Sequence, residues 1–207
     1  NNRTKNSYEQ SVFKERIPIK LYEHSKVGSK AVALEIANLI KDKQKKGSKC
    51  VLGLATGSSP ISIYKELIRM HKYENLSFHN VITFNLDEYF PMNPTSVNSY
   101  HKFMNDNLFN NINIKKKNIN IPQGDISEKN IENHCIGFED KIKKAGGLDF
   151  QLLGIGRNGH IGFNEPGAIE TSITRKFKIE NVTRNDASGE FLGIENVPKE
   201  AITMGIK

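Results

Sequence analysis

The sequence predicts an α/β fold, a doubly wound and largely parallel sheet with helices on both faces. Three observations carry this. Continuous apolar runs of strand length recur at Cys50–Ala55, Val81–Phe84 and Phe150–Ile155. Segments with helical spacing of apolar residues lie between them. Strand-like and helical stretches alternate through most of the chain, which is the order that winds a parallel sheet.

Residues 1–15 are polar and read as a lead-in or linker, and 16–207 as one α/β domain. Ile17–Tyr22 is expected as a short strand. Lys26–Lys46 has Val32, Ile36, Leu39 and Ile40 on one helical face, and Gly47 is placed to end that helix. After the Cys50–Ala55 strand comes Thr56-Gly57-Ser58-Ser59-Pro60, then a helical pattern through Ile61, Tyr64, Leu67 and Ile68. Ser59 suits the N-cap and Pro60 the first helical position. Val81–Phe84 is a strand that runs into Asn85-Leu86-Asp87-Glu88-Tyr89. Pro91 and Pro94 mark a loop. A helix over Val97–Phe109, a strand over Asn118–Ile121 and a helix over Ser127–Lys144, capped by Ser127 and closed at Gly146-Gly147, come next. Beyond the strand at Phe150 the pattern gives a strand at Lys176–Ile179, a loop with a short helix at Val182–Phe191 and an apolar strand at Ala201–Ile206.

Composition narrows the function classes. Hydrophobic residues make up 37% of 207, enough for a sizeable core. No run of 18 apolar residues exists, so no membrane span is expected. The two cysteines, Cys50 and Cys135, form no disulfide framework and fit a reducing cytoplasm. The histidines are scattered, and no metal pattern appears. The net charge of +7 comes largely from lysine clusters at Lys41–Lys49, Lys115–Lys117 and Lys141–Lys144. Without interleaved aromatics these read as solvated surface and not as a nucleic-acid face.

The stretch LLGIGRNGHIGFNEPG, residues 152–167, holds the densest chemistry. An apolar strand breaks into a glycine-punctuated loop with Asn158, His160 and Glu165. An amide, an imidazole and a carboxylate in one loop supply an orienter, an acid/base and a tuning charge. Thr56 to Ser59, between a strand and a helix start, can present free backbone N–H groups to an anion. It lacks the lysine of a P-loop and the third glycine of a dinucleotide fingerprint. Asp87 and Glu88 stand at a strand end, where neighbours point to different sides, so at most one reaches a shared pocket. Structurally, Asp87 alternatively caps a helix. Phosphate cradle, base and acid at one sheet edge make a site for a small phosphorylated substrate.

Four stretches, LGLATGSSP (52–60), FNLDEY (84–89), SYHKFM (99–104) and GHIGFNEPG (159–167), resemble the glucosamine-6-phosphate deaminase family, in its order. The similarity runs from about Ile17 to the end of the chain. It implies a Rossmann-like fold and conversion of glucosamine 6-phosphate and water to fructose 6-phosphate and ammonia. It also implies no metal or organic cofactor, and the oligomers the family often forms leave a homo-oligomer open. By motif, Asp87 matches the base that moves the C2 proton, His160 the residue that opens the pyranose ring, and Glu165 its acidic neighbour. Thr56, Gly57, Ser58 and Ser59 match the phosphate loop, and Gly159 lies beside the histidine as a further substrate-binding position.

Two departures stand out. The family usually has Asp where this chain has Asn158, and Asn158→Asp is expected to raise the His160 pKa and favour ring opening. The family's phosphate-clamping Arg falls near Gly189, which leaves Arg184 as the nearest basic candidate; its Lys falls beyond Lys207, so the domain is expected to be truncated at its C-terminal end. The alternatives are a non-catalytic sugar-phosphate-binding regulatory module, or another sugar-phosphate isomerase or lactonase on the same fold.

Overall fold

The computed structural model describes residues 17–207. The expected lead-in, 1–15, lies outside the described residues. Helix α1 (Ser25–Lys45) buries Ala33, Ile36, Ala37 and Ile40 along one face, and Gly47 ends it with a φ of 67°. Strand β1 (Cys50–Leu54) is buried throughout, followed by α2 (Ile61–Tyr73) and β2 (Val81–Asn85). Then come β3 (Asp87–Phe90), α3 (Tyr100–Asn107), β4 (Ile119–Asn120), α4 (Ile131–Lys144) and β5 (Phe150–Gln151). The chain continues through β6 (Arg175–Lys178), α5 (Asn181–Ala187) and β7 (Glu200–Thr203).

Two sheets result. The first is wholly parallel, in the order β4-β2-β1-β5, with Cys50 beside Val81 and Leu52 beside Phe150. Alternation along β1 sends Cys50, Leu52 and Leu54 into a core shared with α1, α2 and α3. Val51 goes to the other face, where Phe84 meets Phe138 of α4 edge-to-face at 5.6 Å. Helices therefore cover both faces, as the alternating pattern predicts.

The second sheet, β3-β7-β6, is antiparallel and was not expected. Asp87 pairs with Thr203 and Phe90 with Glu200. The two sheets meet at Leu86, whose N–H donates to Leu54 O at 3.1 Å and whose carbonyl accepts from Met204 N at 2.7 Å.

Several boundaries differ from expectation. Residues 17–22 are exposed and, among the described residues, form no strand, and Pro18 removes a donor that a strand would need. The run at Phe150 stays in the sheet for two residues only; Leu153 and Ile155 are exposed, and β5 is the edge strand among the described residues. Pro60, and not Ser59, occupies the N-cap of α2, and neither it nor Ser127 makes a side-chain cap bond.

Candidate active site

A cleft of about 440 Å³ opens where β1, β2 and β5 end. Its floor is the Thr56–Ser59 loop. Gly57 has a φ of 94°, a conformation open to glycine, which turns the chain from β1 toward α2. Among the described residues, the backbone N–H groups of Gly57, Ser58 and Ser59 donate to no protein acceptor, so they remain free for an anion at the positive end of α2. The buried Tyr64 hydroxyl donates to Ala55 O and ties this loop to its helix.

Asp87 heads β3 and lines the cleft, only 5% exposed. Burial, then the neighbouring Glu88, push its carboxyl up to about 8. Glu88 faces away. Its carboxylate is fully buried and accepts backbone N–H groups from Tyr89 at 3.0 Å and from Tyr100 and His101 at 3.1 Å each. Burial raises it to about 7, and those three donors oppose the rise. Glu88 thus fixes the start of α3, and with it Tyr100, another cleft residue. Of the two carboxylates one reaches the cleft, and Asp87 begins a strand instead of capping a helix.

Across the cleft stands His160, its side chain 18% exposed. Asn158 Nδ2 donates to Glu165 Oε2 at 2.8 Å, which turns Asn158 Oδ1 toward the ring, 2.6 Å from His160 Nδ1. Nδ1 then carries the proton, and Nε2 is left as the acceptor. Glu165 is 2% exposed, and its other oxygen accepts Glu180 N at 3.3 Å. The Thr183 hydroxyl lies 3.3 Å from His160 Nδ1 and its residue lines the cleft. Asn158 and Glu165 form the layer behind the imidazole.

The His160 loop is pinned to the antiparallel sheet. Phe163 N donates to Thr203 Oγ1 at 3.1 Å, and Asn164 Nδ2 donates to Met204 O at 2.8 Å. Gly162 has a φ of 59°; a Cβ there would lie 3.0 Å from Thr203 Oγ1 and 3.2 Å from Asp87 Oδ2. Only glycine lets this loop rest against the Asp87 carboxyl without displacing it.

Two sequence expectations change, at Arg184 and Gly159. Arg184 is no cleft residue: it is buried, and its guanidinium is committed to Ile194 O at 2.8 Å and Val197 O at 3.0 Å. Gly159 is exposed and makes the turn between Asn158 and His160, with its N–H on Gly156 O at 2.9 Å. Arg157 pairs with the exposed Asp186 at 3.0 Å, so Glu165 is what Asn158 answers to. Sequence reasoning missed Thr183, Gly162, Thr203 and the anchoring role of Glu88. Only Glu88, beside Asp87 and opposite SYHKFM, carried a signal that a pairing of the two motifs could have exposed.

Parallel sheet, loop at the strand ends and carboxyl facing imidazole define a Rossmann-like α/β protein with its cleft at the carboxyl edge. The chain belongs to the family described as glucosamine-6-phosphate isomerases/6-phosphogluconolactonase, whose profile matches residues 23–172. It is 49% identical over 180 residues to the glucosamine-6-phosphate deaminase of Thermoanaerobacter pseudethanolicus, covering 87% of this chain and 70% of that protein. It is 46% identical over 206 residues to a glucosamine-6-phosphate deaminase-like protein of Bacteroides thetaiotaomicron, of which it spans only 31%. A solved monomeric glucosamine-6-phosphate deaminase superposes with a TM-score of 0.85 at 43% identity, covering 89% of this chain and 74% of that one. The 6-phosphogluconolactonase of Thermotoga maritima, at 19% identity and a TM-score of 0.66 over 90% of this chain and 76% of that one, shares the fold.

Proposed function

We propose that this chain carries the catalytic cleft of a glucosamine-6-phosphate deaminase, producing fructose 6-phosphate and ammonia. The observation that carries the reading is the buried Asp87 carboxyl facing a cleft whose other wall holds His160 with Nε2 free. The free N–H groups of Gly57 to Ser59 hold the 6-phosphate. His160 Nε2 takes the O1 proton of the closed sugar and returns it to O5, a step suited to an imidazole near neutral pH. Asp87 removes the C2 proton and delivers it to C1, which leaves an imine at C2; water adds there and ammonia departs. Asp87, Asp186 and Glu190 face the cleft, and no lysine or arginine does among the described residues.

Residues 16–207 are read as one α/β unit. The reaction proposed consists of proton transfers and hydration, so its steps call on no metal, and among the described residues no three His, Cys, Asp or Glu side chains gather to hold one. No described helix is long and apolar enough to cross a membrane, and the buried, free Cys50 and Cys135 suit a cytoplasmic setting.

The test is ammonia release from glucosamine 6-phosphate by the 207-residue chain in deuterated water. Expected are ammonia, deuterium at C1 of the product, and far weaker use of unphosphorylated glucosamine. Saturable binding with neither ammonia nor deuterium would overturn this reading in favour of a sugar-phosphate-binding module.

A further inference from the structure

We propose that a second cleft, against another face of α3, binds a small organic anion with a ring or apolar body. It is independent of the chemistry assigned to the first. This cleft, about 690 Å³, borders the edge strand β4 and is larger than the first. Tyr100 and Phe103 of α3 line the first cleft, while His101 and Asn105 line the second. At 3.6 residues per turn these pairs occupy different faces of the helix, so α3 is a wall common to both.

The charge of the two clefts is opposite. The second is lined by Lys116 and Lys141 and, among the described residues, by no carboxylate. Lys115–Lys117 and Lys141–Lys144 are separate clusters in the sequence, each readable as solvated surface. The fold brings one lysine from each to the same rim. Two ammonium groups converging without an acidic partner attract an anion. The same cleft is lined by two imidazoles of set tautomer. His134 Nε2 accepts Gln123 N at 3.1 Å and so keeps its proton on Nδ1; His101 Nε2 donates to Pro122 O at 3.1 Å. Burial lowers both imidazole pKa values, leaving neutral rings that serve as donor and acceptor. The floor is apolar, with Phe109, Ile121 and Phe138 buried beneath it. Cations at a rim over aromatic and aliphatic side chains match an anionic head on an apolar or ring-shaped body.

The experiment follows the histidine side-chain resonances of the 207-residue chain, which has six histidines, during titration with phenyl phosphate, benzoate, inorganic phosphate and phenol. Phenyl phosphate or benzoate is expected to move His101 and His134 saturably, at lower concentration than inorganic phosphate or phenol. The tighter of the first two identifies the head group as phosphate or carboxylate. The double variant Lys116→Gln, Lys141→Gln is expected to weaken binding about tenfold or more, as loss of charge-assisted bonds should. Both lysines are exposed, and an unchanged unligated spectrum verifies the fold. Shifts confined to His160, phenol binding as tightly as phenyl phosphate, or undiminished binding to the double variant would overturn the proposal.

Discussion

Strands β1 and β3 are both short and buried, yet they are opposite in chemistry. β1, CVLGL, is apolar, lies inside the parallel sheet and feeds cores on two faces. β3, DEYF, buries two carboxyls and is held in an antiparallel sheet by β7, more than a hundred residues away in the chain. In the first sheet, β1 gains from every side chain it hides. The second takes on the desolvation of Asp87 and Glu88, and in return holds a base of raised pKa at the cleft. The main core therefore rests on the parallel sheet, while the antiparallel sheet carries the Asp87 base to the cleft that both sheets border.

The sharpest way to break that division is Asp87→Asn. Ammonia release should fall roughly 10²–10⁴-fold, the range of a lost general base. Stability should move the other way. With a folded-state pKa of about 8 against 3.8, the folded chain keeps a proton that the unfolded chain has released. Wild-type stability therefore declines as pH rises from about 4 through about 8. Thermal unfolding above pH 8 should favour the variant by on the order of a few kcal/mol, with no gain below pH 4. Full activity in the variant would remove Asp87 as the base.

Leu52→Ala probes the other sheet. Leu52 is 2% exposed in the main core, and its truncation should cost about 2–5 kcal/mol in denaturant unfolding. Turnover per folded molecule should be nearly unchanged. A large fall in turnover at unchanged stability would dissolve the division.

Asn158→Asp tests the layer behind His160. Reading the loop alone favours an active or improved enzyme. The structure reverses that expectation, because the Asn158 amide donates to Glu165 at 2.8 Å, and Asp would set carboxylate against carboxylate. Like charges so placed oppose one another by about 1–4 kcal/mol, so ammonia release should drop about 10–100-fold. Asn158→Asp combined with Glu165→Gln should recover it, since the new amide can donate to the new carboxylate. Undiminished activity in the single variant would show that Glu165 is not coupled to the ring through residue 158.

Smaller effects complete the ranking. Thr203→Val leaves the Phe163 N–H without its 3.1 Å acceptor, which should cost about 1–3 kcal/mol in thermal stability and loosen the loop. Arg157→Ala removes an exposed pair with Asp186 and should change stability by about 0–1 kcal/mol. A larger cost would give Arg157 a role in holding α5 that the geometry does not require.

Apolar periodicity determined the parallel sheet with helices on both faces, and the Gly, Ser and Pro residues determined the turn at Thr56–Ser59, because each follows from contacts made within a few residues or from continuous burial. The motifs around Asp87 and His160 likewise marked the chemistry, since those residue types are uncommon next to glycine turns and strand ends. What only the tertiary structure decided is how these parts bear on one another. β3 exists because β7 supplies its partner, and DEYF by itself has no strand pattern. Glu88 is an anchor because the start of α3 lies over it. Arg184 is lost to the cleft because the carbonyls of Ile194 and Val197 claim it. Asn158 keeps its amide because Glu165 is buried beside it. These pairings join residues between 7 and 116 positions apart, and a one-dimensional pattern holds no term for which distant group will satisfy a buried charge or donor.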